Sequence, residues 1–308
     1  MKKLLNCWWL AGMCVLFLSG LAIAGDMAPP VADDMVPIVA DDMIPLGAEN
    51  MIPIVSQHHF ELSLVGNYFE YEEPGIDVKI DGFMYGVIGS YTHHDKNKLM
   101  VNASLELSHG DLEYDGWISD GFRVPAKDDT RDWIVEGRFL VGHDCFLRVP
   151  RGYRRHLITP YIGLGIRYWH NDIEGYGGYE REVRYWYLPI GIKTNSCLSD
   201  HWQWRMNAEY DFFLGGRVKS YLSDVDPGFN DPAVDQDFAE GYGLRFSLGL
   251  TRKLSKIYAL SIEPYITYWD IDKSDYSMAG IDEHDRIIYV YEPANKTTSY
   301  GLRISLEF

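Results

Sequence analysis

Beyond its first two dozen residues this chain has no apolar run long enough for a membrane helix, and it is poor in basic residues and cysteine. Its 308 residues hold 28 Lys and Arg against 45 Asp and Glu, a formal charge of −17. Phosphate binding needs clustered cations, so nucleic acid is excluded as a partner. A slightly negative mean hydropathy excludes a bundle of transmembrane helices. No Cys or His spacing of a structural metal site occurs, so no metal is expected. There is no Gly-rich phosphate loop placed before a helix and no Ser nucleophile elbow. Aromatic residues, by contrast, are plentiful: 22 Tyr, 13 Phe and 9 Trp.

The start reads as an export signal. Lys2 and Lys3 precede an apolar stretch from Leu4 to Leu21, and Ala22 and Ala24 supply the small residues of a cleavage site. Residues 1–24 are therefore expected to be a signal peptide, with a retained membrane anchor as the alternative. Cleavage removes Cys7 and Cys14 and leaves Cys145 and Cys197. In an exported protein these two can form a disulfide; two unpaired thiols are the other reading, because they belong to different hairpins.

Residues 25–58 carry an eight-residue repeat, Asp26-Met-Ala-Pro-Pro-Val-Ala-Asp33 followed by Asp34-Met-Val-Pro-Ile-Val-Ala-Asp41, with degenerate copies at Asp42 and Asn50. A proline in every unit blocks both a helix and a central strand. The segment reads as an extended acidic, Pro-rich periplasmic linker. Its regularly spaced Met, Ile and Val also allow docking on a partner or into the mouth of the domain that follows.

From residue 59 to 308 the pattern is period two, as in strands. Tyr300, Leu302, Ile304, Leu306 and Phe308 share one face of the last segment, while Gly301, Arg303, Ser305 and Glu307 share the other. Tyr242–Leu248 nearly duplicates it. In Trp202–Phe212, Trp and aliphatic residues alternate with Gln203, Arg205, Asn207, Glu209 and Asp211. An apolar core does not tolerate that polar row, whereas a polar barrel lumen does. About ten such strands can be placed, with eight or twelve as alternatives. Short turns near residues 95, 150, 198 and 255 alternate with longer loops, among them Asp115–Thr130, Asn171–Glu182, Ser220–Glu240 and Ile271–Thr297. The fold class is all-β: a single antiparallel up-and-down transmembrane β-barrel. Tyr68, Tyr91, Trp133, Tyr168, Trp186, Trp202, Tyr242, Tyr258 and Tyr268 fall near strand ends, as interfacial girdles require.

A signal segment, alternating aromatic-capped strands and the terminal Phe308 together resemble the small outer-membrane β-barrel proteins of Gram-negative bacteria, over residues 60–308. The resemblance implies residence in the cell outer membrane, contact with its lipid and lipopolysaccharide, and recognition of Phe308 by the barrel-assembly machinery. It leaves activity open, because such barrels host pores, adhesins, enzymes and anchors.

The inward positions include Glu61, Glu106, Glu136, Glu209, Asp211, Glu263 and Glu307, facing Arg138, Arg167, Lys193, Arg205, Arg245 and Arg303. In a barrel of this size they are expected to form a neutralising network that plugs the lumen. The expected function is then a non-enzymatic structural, surface-display or adhesion role. A narrow porin-like channel selected by these charges is the alternative. A second alternative rests on Asp282-Glu283-His284, which is similar to the Asp-Glu-His segment of omptin proteases. That similarity implies His284 as a general base oriented by Asp282. Asp224, Asp226, Asn230, Asp231, Asp235 and Asp237 offer oxygen ligands for Ca²⁺, although solvated loop acids are the simpler reading. No other cofactor is expected.

Overall fold

The computed structural model describes residues 58–119, 123–148, 155–255, 257–281 and 287–308. Ala22, Ala24, the octapeptide repeats, Asp282 and His284 lie outside the described residues. The strands are β1 (His58–Glu73), β2 (Val78–His94), β3 (Leu99–Ser119), β4 (Arg123–His143), β5 (Cys145–Arg148), β6 (Arg155–Ile173) and β7 (Glu180–Cys197). They continue with β8 (Trp202–Ser220), β9 (Ala233–Gln236), β10 (Gly241–Lys253), β11 (Ala259–Ile271), β12 (Ser277–Ile281), β13 (Ile287–Val290) and β14 (Asn295–Glu307).

Ten of these form a closed antiparallel barrel in the order β1, β2, β3, β4, β6, β7, β8, β10, β11, β14. Closure matters because a bilayer offers no water to satisfy the edge of an open sheet. The last strand supplies it. Tyr300 stands opposite Tyr68 and Ile304 opposite Leu64. Phe60 N donates to Phe308 O at 2.7 Å, and Phe308 N donates back to Phe60 O at 2.9 Å. A path along paired residues from His58 once around the wall lands on Glu70. Stagger of this kind accompanies a strand tilt of roughly 40°. β5 lengthens the wall beside β6, β9 lies along β8, and β12 pairs β13 in a separate hairpin.

The outer face is apolar only in a band. Along β1 it runs from Phe60 through Leu62 and Leu64, 46%, 55% and 66% exposed, to Tyr68. That is about nine residues, the number a tilted strand needs to cross the hydrocarbon. Aromatic contacts mark its upper limit: Tyr68 with Tyr300, Tyr210 with Tyr242, and Trp133 stacked on His109 at 4.2 Å between ring centroids. Phe60 with Phe308 and Tyr91 marks the lower limit.

Above the upper girdle the alternation inverts. Phe69 and Tyr71 point inward and are fully buried, while Glu70 and Glu72 face out. Trp169, Val183, Tyr185, Tyr187, Phe213, Val218, Trp269 and Ile271 join them in one buried core inside the wall. Here the surroundings are aqueous, so the hydrophobic effect drives apolar groups into the barrel instead of out of it. The expected long loop Asp115–Thr130 is corrected by the same logic. β3 and β4 stay paired through Asp115 opposite Lys127 and Trp117 opposite Pro125. Outside the bilayer a strand can be polar on its outer face, so this polar run forms strand instead of loop. The Trp117 indole anchors this extension by donating to Ile76 O at 2.8 Å. The segments expected as the loops Asn171–Glu182, Ser220–Glu240 and Ile271–Thr297 likewise contain strand: the ends of β6 and β7, all of β9, and the β12–β13 hairpin.

Candidate functional site: the barrel lumen

The lumen is built in three tiers. Midway up, Arg245 Nε donates to Asp211 Oδ2 at 2.6 Å and lies 3.3 Å from Glu209, while its Nη2 pairs with Glu136. Arg138 pairs with both oxygens of Glu209, and the Tyr161 hydroxyl donates to Glu209 Oε2 at 2.6 Å. Tyr187 donates to Glu136 and lies under the Arg245 guanidinium, 5.3 Å from ring centroid to Cζ. Arg167 stands opposite Glu136 across the β4–β6 pair.

The lower tier centres on Arg205. It contacts Glu263 at 2.9 Å, Glu307 at 2.8 Å and Glu61 at 3.3 Å, and Arg303 takes the second oxygen of Glu263 at 2.6 Å. Three residues from the expected network stand apart, Arg167 among them, which among the described residues makes no ion pair. Lys193 has its ammonium 5.4 Å from the Tyr161 ring, and among the described residues no carboxylate lies within ion-pair distance of it. Glu106 accepts one hydrogen bond, from Ser108 at 3.0 Å. Between these two tiers lies a cavity of about 250 Å³, lined from His59, His94 and Gln203 at the short-turn end up to Glu136 and Arg245.

The upper tier is the aromatic core, closed at its top by a second ionic cluster that the sequence reading missed. Arg181 Nη2 pairs with Glu292 at 2.5 Å and Arg181 Nη1 lies 3.7 Å from Glu73. The Tyr71 hydroxyl stands 2.5 Å from Glu73 and 2.8 Å from Glu292. One hydroxyl has one proton to donate, so two carboxylates around it are best served when one of them is itself protonated. Burial, and next the charge of Glu292, push the Glu73 carboxyl up to about 7. The guanidinium also lies over the Tyr71 and Trp169 rings, at 5.5 and 5.9 Å. Arg181 and Glu73 carried a signal that could have found them, since both keep strand alternation beyond the girdle. Glu292 lies in the connection before β14 and carried none.

The remaining candidates are placed as follows. Cys145 keeps a free thiol, so no bridge to Cys197 is made. Cys145 lies opposite Ile158, which lies opposite Thr194, and Cys197 is further along that strand. One strand between them means roughly 9–10 Å of lateral separation, beyond the ~7 Å reach of a disulfide. The acids of the Asp224–Asp237 loop are used singly: Asp226 caps Gly228 N at 2.8 Å and Asp231 accepts from Ser223 N at 3.1 Å. Among the described residues no three of them gather, but His59, Glu61 and Glu307 do, with ligand atoms within 4.8 Å of one another. Sequence spacing could not reveal this triad, because Glu307 comes from the opposite end of the barrel sequence.

No protein-family model and no curated protein sequence matches the chain. Among solved structures it is similar to the outer membrane protease OmpT of Escherichia coli, with 10% identity, a TM-score of 0.54, and coverage of 85% of this chain and 99% of that one. It also aligns with the attachment invasion locus protein Ail of Yersinia pestis (9% identity, TM-score 0.31, 82% of this chain and 100% of that one). The toluene transporter TodX of Pseudomonas putida aligns at 10% identity and a TM-score of 0.30, over 84% of this chain and 90% of that one. These neighbours are Gram-negative outer-membrane β-barrels, and what the chain shares with OmpT at this identity is the fold.

Proposed function

We propose that the chain is a non-conducting outer-membrane barrel of a Gram-negative bacterium, with a structural, surface-display or adhesive role. Its short-turn end then faces the periplasm and its long-loop end the cell surface. The observation that supports this reading is the filled upper lumen, where an aromatic core and the Arg181–Glu73–Glu292 cluster occupy the path a solute would need. Water channels require either wider barrels or an unobstructed polar bore. The surface end offers contact groups: Tyr176 is 82% exposed, and Met278, Ile281, Ile287 and Tyr289 of the β12–β13 hairpin stand clear of the core. Planar-bilayer recording tests the reading. The purified barrel should insert without conductance steps, and stable ohmic steps would overturn it.

A narrow porin-like conduit is the second reading, favoured by the polar cavity of about 250 Å³ in the lower lumen. It requires the aromatic tier to open. Conductance in the wild type that rises in Trp269→Ala would select it.

A further inference from the structure

The pairing of first and last strands sets Glu61 directly opposite Glu307. His59 precedes Glu61 by two residues and so shares its inward face. We propose that His59, Glu61 and Glu307 bind a divalent transition-metal ion, with Zn²⁺ as the best match to the donors. Three independent features support a cation here. Glu307 is more than nine-tenths buried, and its Oε1 is engaged by Arg205 at 2.8 Å and Thr251 at 3.4 Å. Its Oε2 has only the His59 Nε2, at 3.8 Å, which is beyond hydrogen-bond reach. A carboxylate oxygen of a buried residue and an imidazole nitrogen therefore face each other without a hydrogen bond between them.

The charge count agrees. Glu61, Glu263 and Glu307 meet two guanidinia, Arg205 and Arg303, which leaves one negative charge in the directly paired group. Access is the third feature, because all three ligands line the lower cavity. Gln203, also nine-tenths buried, lines that cavity with an unpartnered Nε2, a donor for a water or anion carried by the ion. Arg205 bridges Glu307 and Glu61 and holds the two carboxylates in place, as the hydrogen-bonding partners of metal ligands do. Mixed imidazole and carboxylate donors suit zinc, whose bonds of about 2.0–2.2 Å require the three donors to draw together by roughly 1 Å. A site with three protein ligands keeps an open coordination position.

The test uses tag-free barrel folded in detergent, in a His58→Ala/His93→Ala background. That background removes the other imidazole pair of the rim, whose rings lie 4.9 Å apart. Calorimetric titration with zinc chloride should give one ion per barrel. Binding should weaken at least about tenfold in both His59→Ala and Glu307→Gln, with heat-modifiable gel mobility showing that both still fold. Undiminished binding in His59→Ala, or no heat at millimolar zinc in the background protein, overturns the proposal. If Glu307→Gln does not fold, His59→Ala decides alone.

Discussion

Replacing Trp269 by alanine separates a packed upper lumen from a watery one. Trp269 is 1% exposed, lies edge-on to Tyr187 with ring centroids 5.1 Å apart, and has Tyr185 at 5.9 Å and the Arg245 guanidinium at 5.6 Å. An aromatic side chain of this size removes about 150–250 Å² from water. At about 25 cal/mol per Å² that is roughly 4–6 kcal/mol, an upper figure because the unfolded chain also hides some of this area. Measured Trp→Ala losses in cores, about 3–5 kcal/mol, agree. We therefore expect Trp269→Ala to lower the unfolding free energy by about 3–5 kcal/mol, read by far-ultraviolet circular dichroism in a urea series of the barrel in lipid vesicles. Trp133→Ala is the control: its ring is 49% exposed on the outer face, and the loss there should be about 1–2 kcal/mol, mostly interfacial anchoring and aromatic contact. A loss below about 1 kcal/mol at Trp269 would refute the packed core, since a ring standing in bulk lumen water would surrender little on truncation.

Arg245→Met takes the guanidinium from Asp211 and Glu136, while Glu209 keeps Arg138, and removing one partner of a buried ionic cluster costs about 3–5 kcal/mol; the same urea series should show it, and a loss under 1 kcal/mol would mean that water solvates these carboxylates. Glu73 sits five residues above the Tyr68 girdle, outside the bilayer band, with its carboxyl pushed up from 4.5 to about 7 by burial. Its folded value lies above its unfolded one, so the stability it contributes is complete below the unfolded value and is lost as pH rises through the folded one. The barrel should weaken by roughly 1–3 kcal/mol between pH 4.5 and 7, and Glu73→Gln should flatten that slope; an unchanged slope would remove Glu73 as its source. Deleting Phe308 breaks the paired hydrogen bonds to Phe60 and the stacked contact of their rings at 5.8 Å. Heat-modifiable barrel recovered from the outer membrane should fall severalfold, and normal recovery would count against an assembly role.

How much of this was legible in the sequence varies with depth in the membrane. Within the apolar band, period two fixes which residues face lipid and which face the lumen, because hydrocarbon outside leaves one register stable. Glu61, Arg205, Arg245 and Arg303 could be assigned inward on that ground alone. Beyond the girdle the same period persists but its sign reverses, so Asp115–Thr130 read as loop and the Phe69–Tyr71–Trp269 core went unseen.

The amino-acid order by itself determined a closed all-β barrel of about ten strands and the row of charges turned into it, since alternation is a local property of the chain. Partnership was decided only by the tertiary structure. The stagger around the wall sets Arg205 among Glu61, Glu263 and Glu307 and leaves Lys193 without a carboxylate partner. Closure of the first strand on the last brings His59 to Glu307, more than two hundred residues away. Strand alternation says which way a side chain points. Which others it meets depends on register and curvature, and those belong to the whole barrel.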